Sequence, residues 1–113
     1  LTPKIFFKNE LNIAPSEGSA YNIDREIAEF NVSETLRLAK ENVDVCDVAI
    51  IQGSKYIDLR IECMKKLEEI GYNGFIIANG DALLTNPKEL VELVVNLKKE
   101  SKKNSYFIYS KRI

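Results

Sequence analysis

Two short polar turns, Gln52-Gly53-Ser54 and Asn79-Gly80-Asp81, hold the residues of this chain best placed to meet a ligand. Each follows an apolar run, Val45 to Ile51 and Phe75 to Ala78, that reads as a buried strand. In parallel α/β proteins the ligand crevice lies outside the carboxyl ends of the strands. An amide such as Gln52 offers both a donor and an acceptor, which suits the edge of a nucleobase. A neighbouring glycine permits close backbone approach. Gln52, Gly53, Asn79 and Gly80 are therefore the candidate base-binding residues. The alternative for Gln52 is that it caps the next helix or satisfies loop backbone. Asp81 is the carboxylate at this mouth; a strand-end Asp can act as base or nucleophile, but is more often a turn residue or helix N-cap.

Composition narrows the chemistry further. The 113 residues include no histidine, which excludes His-based triads and leaves metal binding to carboxylates alone. Ser16, Ser19, Ser54 and Ser110 thus have no imidazole to activate them. Cys46 and Cys63 match no metal or redox spacing and are expected to be buried free thiols in a reducing, cytoplasmic setting. No GxGxxG or Walker loop is present, so no cofactor is expected. No apolar run approaches a membrane span and no signal peptide is visible, so no membrane partner is expected. The net charge of -1 exerts no global pull toward nucleic acid. Its distribution is uneven: Lys98, Lys99, Lys102, Lys103, Lys111 and Arg112 face only Glu100 in the last sixteen residues. This basic end is a candidate RNA contact. Its alternative is a solvated helix end whose lysines complement the macrodipole.

The elements that must position these residues follow from periodicity. Pro3 to Lys8 reads as a strand, and residues 9–22, with Pro15 and Gly18, as a long irregular arm. Asp24 to Phe30 reads as a helical turn or two. Asn31 with Glu34 then forms a capping box opening a helix that carries Val32, Leu36 and Ala39 and ends at a left-handed Asn42. Asp47 reads as a strand-entry residue. From Tyr56 to Ile70 the stripe Tyr56, Leu59, Cys63, Leu67 and Ile70 predicts a helix packed on a sheet, closed by Gly71. Asp58 suits the helix dipole, Arg60 is expected to pair with a carboxylate, and Glu62 with Lys66 on the solvated face. Asn86-Pro87-x-Glu89 opens another helix with Leu90, Val94 and Leu97 inward. Ser105 to Tyr109 is the last strand. The alternation predicts one α/β domain over residues 1–113, with a mainly parallel sheet of about four strands and flanking helices. Three strand ends, Gln52, Asn79 and Ser110, point the same way. The pattern resembles part of a TIM-type β/α barrel, which four strands cannot close.

On these residues the chain resembles the tRNA-guanine and archaeosine transglycosylase superfamily. The resemblance rests on Gln52-Gly53-Ser54, Asp58-Leu59-Arg60 and Gly71-Tyr72-Asn73-Gly74, and covers residues 45–110. It implies a β/α barrel segment that modifies tRNA, in which Gln52 and Gly53 contact a 7-deazaguanine base. Where the family usually carries a Gly-Gly pair, this chain has Ala78-Asn79, an ending more like the divergent archaeal branch of archaeosine synthase. The family's catalytic aspartates fall outside the matched segment, so no catalytic residue is assigned and the chain is not expected to act alone. The expected partners are tRNA or the base itself, and a second polypeptide completing the site. A non-catalytic α/β domain that keeps only the scaffold and binds protein or RNA is the alternative.

Overall fold

The computed structural model describes residues 12–109. The expected strand at Pro3–Lys8, and Ser110, Lys111 and Arg112, lie outside the described residues. Seven elements follow in order: α1 (Arg25–Glu41), β1 (Ala49–Ile51), α2 (Ile57–Ile70), β2 (Gly74–Ile77), α3 (Gly80–Leu84), α4 (Pro87–Glu100) and β3 (Tyr106–Tyr109). The sheet is three-stranded and parallel, in the order β1-β2-β3. Ala49 pairs in register with Phe75, and Phe75 with Phe107. This is the expected α/β architecture, with three strands among the described residues rather than about four.

The two faces of the sheet differ. Ala49, Ile51, Phe75 and Ile77 point into the main core, where they meet Ala28, Val32 and Ala39 of α1, Leu59, Cys63, Met64 and Leu67 of α2, and Leu93 and Leu97 of α4. The alternate residues Val48, Ile50, Ile76 and Ala78, with Ile108, form a second buried cluster, to which no helix among the described residues contributes.

Several local expectations give way to tertiary contacts. α1 is one uninterrupted helix from Asp24, and Asn31 is not its cap. Asn31 points inward at 3% exposure, because the buried stripe of α1 is Ala28, Asn31 and Val32, Thr35 and Ala39. Ile27 and Phe30 are exposed instead. Asn42 ends α1 without left-handed backbone (φ −117), its Nδ2 donating to Leu38 O. The backbone N–H groups of Val45 and Cys46 turn back to Asn42 O, so β1 starts at Ala49 rather than Val45. Asp47 does sit at the strand entry, its carboxylate accepting from the Asn12 N–H.

α2 forms as expected, with Gly71 at its C-cap and the Glu62–Lys66 pair on its outer face. Asn86 and Pro87 open α4, but the capping box does not close: Asn86 Nδ2 donates to Ala82 O, and Glu89 accepts from Tyr21 OH. Leu93 and Leu97 are the buried residues of α4, while Leu90 and Val94 are half-buried. At the loop into β3, Glu68 of α2 accepts from Ser101 Oγ, Lys102 N–H and Ser105 Oγ, which joins α2 to the start of the last strand.

Candidate nucleobase site at the strand carboxyl ends

β1 and β2 end side by side, with Ile51 in register with Ile77 and the Ala78 N–H donating to Ile51 O. This brings Gln52-Gly53 and Asn79-Gly80 to one mouth. The turn after β1 is built for close packing. Gly53 has φ +139, and a Cβ there would stand 2.7 Å from Arg60 Cγ and 2.9 Å from the Arg60 backbone nitrogen. Only glycine satisfies both demands. Ser54 and Asn79 follow with φ of 53 and 64. Asn79 enters α3, a short helix in place of the expected turn, with Gly80 buried and Asp81 exposed in its first turn.

Arg60 holds the mouth together. It is 1% exposed. Its Nε donates to Ser54 O at 2.7 Å, Nη1 to Ile51 O at 3.1 Å and Nη2 to Asn79 Oδ1 at 2.9 Å. The guanidinium thus ties together the end of β1, the turn beyond it and the start of α3. No carboxylate is among these partners, contrary to expectation; the carboxylate of Asp58 pairs with Arg25 instead. Burial pulls the Arg60 pKa down to about 10. Because arginine only donates, Asn79 must turn its Oδ1 to Arg60 and its Nδ2 outward.

Those outward donors are already engaged. Residues 14–22 run as a strap from beside β1 across the mouth. Gln52 Nε2 donates to Ser16 Oγ at 3.1 Å, Asn79 Nδ2 to Ser19 O at 3.0 Å and Ser54 Oγ to Ala20 O at 3.0 Å. Gly18 lies directly over the Gln52 amide, so that a Cβ there would be 2.9 Å from both Nε2 and Oε1. α1 secures the strap from the other side. Thr35 Oγ1 accepts from the Glu17 N–H and donates to Glu17 O, both at 3.1 Å, and Asn31 Nδ2 donates to Ser19 Oγ at 2.8 Å. Next to the mouth, Tyr21, Ser54, Arg60 and Glu89 line a cavity of about 110 Å³. That is well below the ~300–1,000 Å³ of typical ligand pockets.

Sequence periodicity alone did not single out Arg60, Asn31 or Thr35, although a signal existed for each. Arg60 precedes Met64 by four residues and so falls on the apolar stripe of α2. Asn31, Thr35 and Ala39 are spaced by four along α1. The other candidate set lies elsewhere. Lys98 and Lys99 close α4, and Lys102 and Lys103 precede β3, so these exposed lysines sit at the amino edge of the sheet. The 14 residues of α4 separate that edge from the mouth by about 21 Å. The larger hollows are also at the amino edge. One, of about 700 Å³, lies between the carboxyl ends of α1 and α2, and another, of about 440 Å³, beside Ser105 and Tyr106. Neither contains the candidate base-binding residues.

Cys46 and Cys63 are free, and burial raises the Cys63 thiol pKa to about 12, which makes it inert. Among the described residues no cluster of Cys, Asp or Glu is arranged to hold a metal ion, and no helix is long and apolar enough to cross a membrane.

No family model matches the chain. It is 35% identical over 88 residues to a tRNA-guanine(15) transglycosylase of Methanococcus aeolicus, an alignment covering 69% of this chain and 14% of that enzyme. To the enzyme of the same name from Methanocaldococcus jannaschii it is 28% identical over 87 residues, covering 68% of this chain and 13% of the relative. To a queuine tRNA-ribosyltransferase of a Shewanella species it is 36% identical over 81 residues, covering 65% and 21%. The chain therefore spans about one-seventh to one-fifth of the length of these curated relatives. Over a short segment, and at low identity, it is similar to tRNA-modifying transglycosylases of both archaea and bacteria.

Proposed function

We propose that this chain contributes part of a nucleobase pocket in a tRNA-modification system, with Gln52, Gly53, Asn79 and Gly80 facing a 7-deazaguanine. The observation that carries this reading is the convergence of Gln52-Gly53 and Asn79-Gly80 on adjacent carboxyl ends of a parallel sheet. It occurs within a segment similar to transglycosylases. Ala78-Asn79, in place of a glycine pair, favours a site of the archaeosine synthase type. The chemistry would come from residues elsewhere, in a second polypeptide or further chain. A tRNA long enough to reach both edges of the sheet would also meet Lys98, Lys99, Lys102 and Lys103, and Lys111 and Arg112 are proposed as further contacts.

The test is calorimetric titration of 7-cyano-7-deazaguanine into the protein and into Gln52→Ala. Binding that Gln52→Ala abolishes, with a stability loss of about 1 kcal/mol for the one hydrogen bond, supports the pocket. Unchanged binding refutes it. The alternative, a scaffold domain that binds protein or RNA, is favoured by one observation: the outward donors of Gln52, Asn79 and Ser54 are satisfied within the fold.

A further inference from the structure

We propose that the strap formed by residues 16–20 is an internal occupant of the base site, and that a base reaches Gln52 and Asn79 only by displacing it. This rests on the pocket reading above. Three features of the strap are those of a ligand. It accepts all three hydrogen bonds from the mouth, at Ser16 Oγ, Ser19 O and Ala20 O, from the donors Gln52 Nε2, Asn79 Nδ2 and Ser54 Oγ. It lies in contact with the Gln52 amide, close enough that Gly18 has no room for a Cβ. And with it in place the side chain proposed to meet the base is buried, Gln52 being only 6% exposed.

The donors also define what can take its place. Arg60 commits Asn79 Oδ1 inward, so the amide of Asn79 shows the incoming molecule an N–H and not an acceptor. A planar ring with two acceptor atoms along one edge, such as the edge of 7-cyano-7-deazaguanine that carries the carbonyl oxygen and the nitrile nitrogen, matches Asn79 Nδ2 and Gln52 Nε2 together. An edge of donors alone does not.

The strap's anchorage is separable from its contact with the mouth. Thr35 makes a two-way clamp on Glu17, and both of its hydrogen bonds are to the strap rather than to a candidate base-binding residue. Weakening that clamp raises the population of the open state, and apparent affinity rises in proportion.

The experiment compares the full chain, Thr35→Val and Ser16→Ala. It measures 7-cyano-7-deazaguanine affinity by calorimetry and strap opening by hydrogen exchange over residues 16–20. Thr35→Val removes two hydrogen bonds with near-constant shape, so exchange in the strap and base affinity both rise, by roughly ten-fold. Ser16→Ala leaves the helix clamp intact and gives a smaller rise in both; it also serves if Thr35→Val fails to fold. Adding the base to the unaltered chain raises exchange in the strap. If base binds the unaltered chain without that rise, or if a variant opens the strap and affinity does not change, the strap is not the competitor and the proposal falls alone. If the strap opens in the variants and no protein binds the base, the pocket reading itself fails and takes the proposal with it.

Discussion

Replacing Arg60 tests whether desolvation or hydrogen bonding governs the mouth of the sheet. The guanidinium is 1% exposed and its pKa is drawn from 12.5 down to about 10, chiefly by burial. That depression corresponds to ~3 kcal/mol against the charged form in the folded state. Arg60→Met removes this penalty and strands acceptors in exchange. Ile51 O keeps the N–H of Ala78, so the groups left without their Arg60 donor are Ser54 O and Asn79 Oδ1. At ~1–3 kcal/mol for each stranded acceptor, the loss and the recovered desolvation nearly cancel. The expected net cost of Arg60→Met is about 1 kcal/mol.

Arg60→Lys has the opposite balance. An ammonium keeps the charge, is more strongly hydrated than a guanidinium and lacks the planar fork that reaches three acceptors at once. It retains the burial penalty and loses at least one charge-assisted hydrogen bond, for an expected cost of ~2–4 kcal/mol. The assay is urea unfolding of the three proteins at pH 7. The nominally conservative lysine variant is expected to be the less stable. If Arg60→Met is destabilised by more than Arg60→Lys, the hydrogen bonds outweigh desolvation and the reasoning is wrong. The two variants also separate stability from site order. Arg60→Met stays folded but frees Asn79 Oδ1, so the acceptor edge recognised at the mouth is no longer imposed.

The remaining expectations concern the amino edge. Burial alone would raise the Glu68 carboxyl, but hydrogen bonds from Ser101, Ser105 and the Lys102 and Lys103 backbone outweigh it and hold the pKa below 4.5. A carboxylate depressed in the folded state contributes stability above its unfolded pKa and loses it as pH falls through the folded value. Glu68→Gln should therefore lower stability at pH 7 and flatten the acid limb of the pH–stability curve below pH 4.5; an unchanged limb in thermal melts would remove Glu68 from that role. Reversing Lys98, Lys99, Lys102 and Lys103 to Glu should weaken tRNA binding and reduce its salt dependence by ~0.7–0.9 log units per log unit of salt for each phosphate no longer neutralised. Salt dependence equal to that of the unaltered chain, in filter binding or fluorescence anisotropy, would place the RNA elsewhere.

What could be read from the sequence was set by how far each signal depends on local chemistry. α2 was legible because Leu59, Cys63, Met64 and Leu67 carry an apolar stripe through its whole length and Gly71 ends it, although Arg60 and Glu68 are buried beside them. β2 was legible because all four of its residues are buried, as in a central parallel strand. The mouth was legible by topology, since parallel strands joined by helices must deliver Gln52 and Asn79 to the same edge. The start of α1 was not. Its buried face includes Asn31 and Thr35, and two polar residues on a stripe read as the outside of a helix or as a cap.

The same two residues explain why the strap was invisible in sequence. Residues 12–22 have no periodicity because, beyond the bridge of Ile13 to Val48, no regular element is built from them; the hydrogen bonds of residues 16–20 go to side chains 12 to 60 positions away. Asn31 and Thr35 are polar on an otherwise buried face because the strap is what they face. Leu in either place would pack, yet would leave Glu17 N–H and Ser19 Oγ without their partners. The polar break in the α1 stripe, which read as a helix start, is therefore the imprint of the strap on the sequence. Buried polar residues at four-residue spacing opposite an unpatterned loop are a sign that the loop is part of the core. In this chain that loop closes over the candidate site.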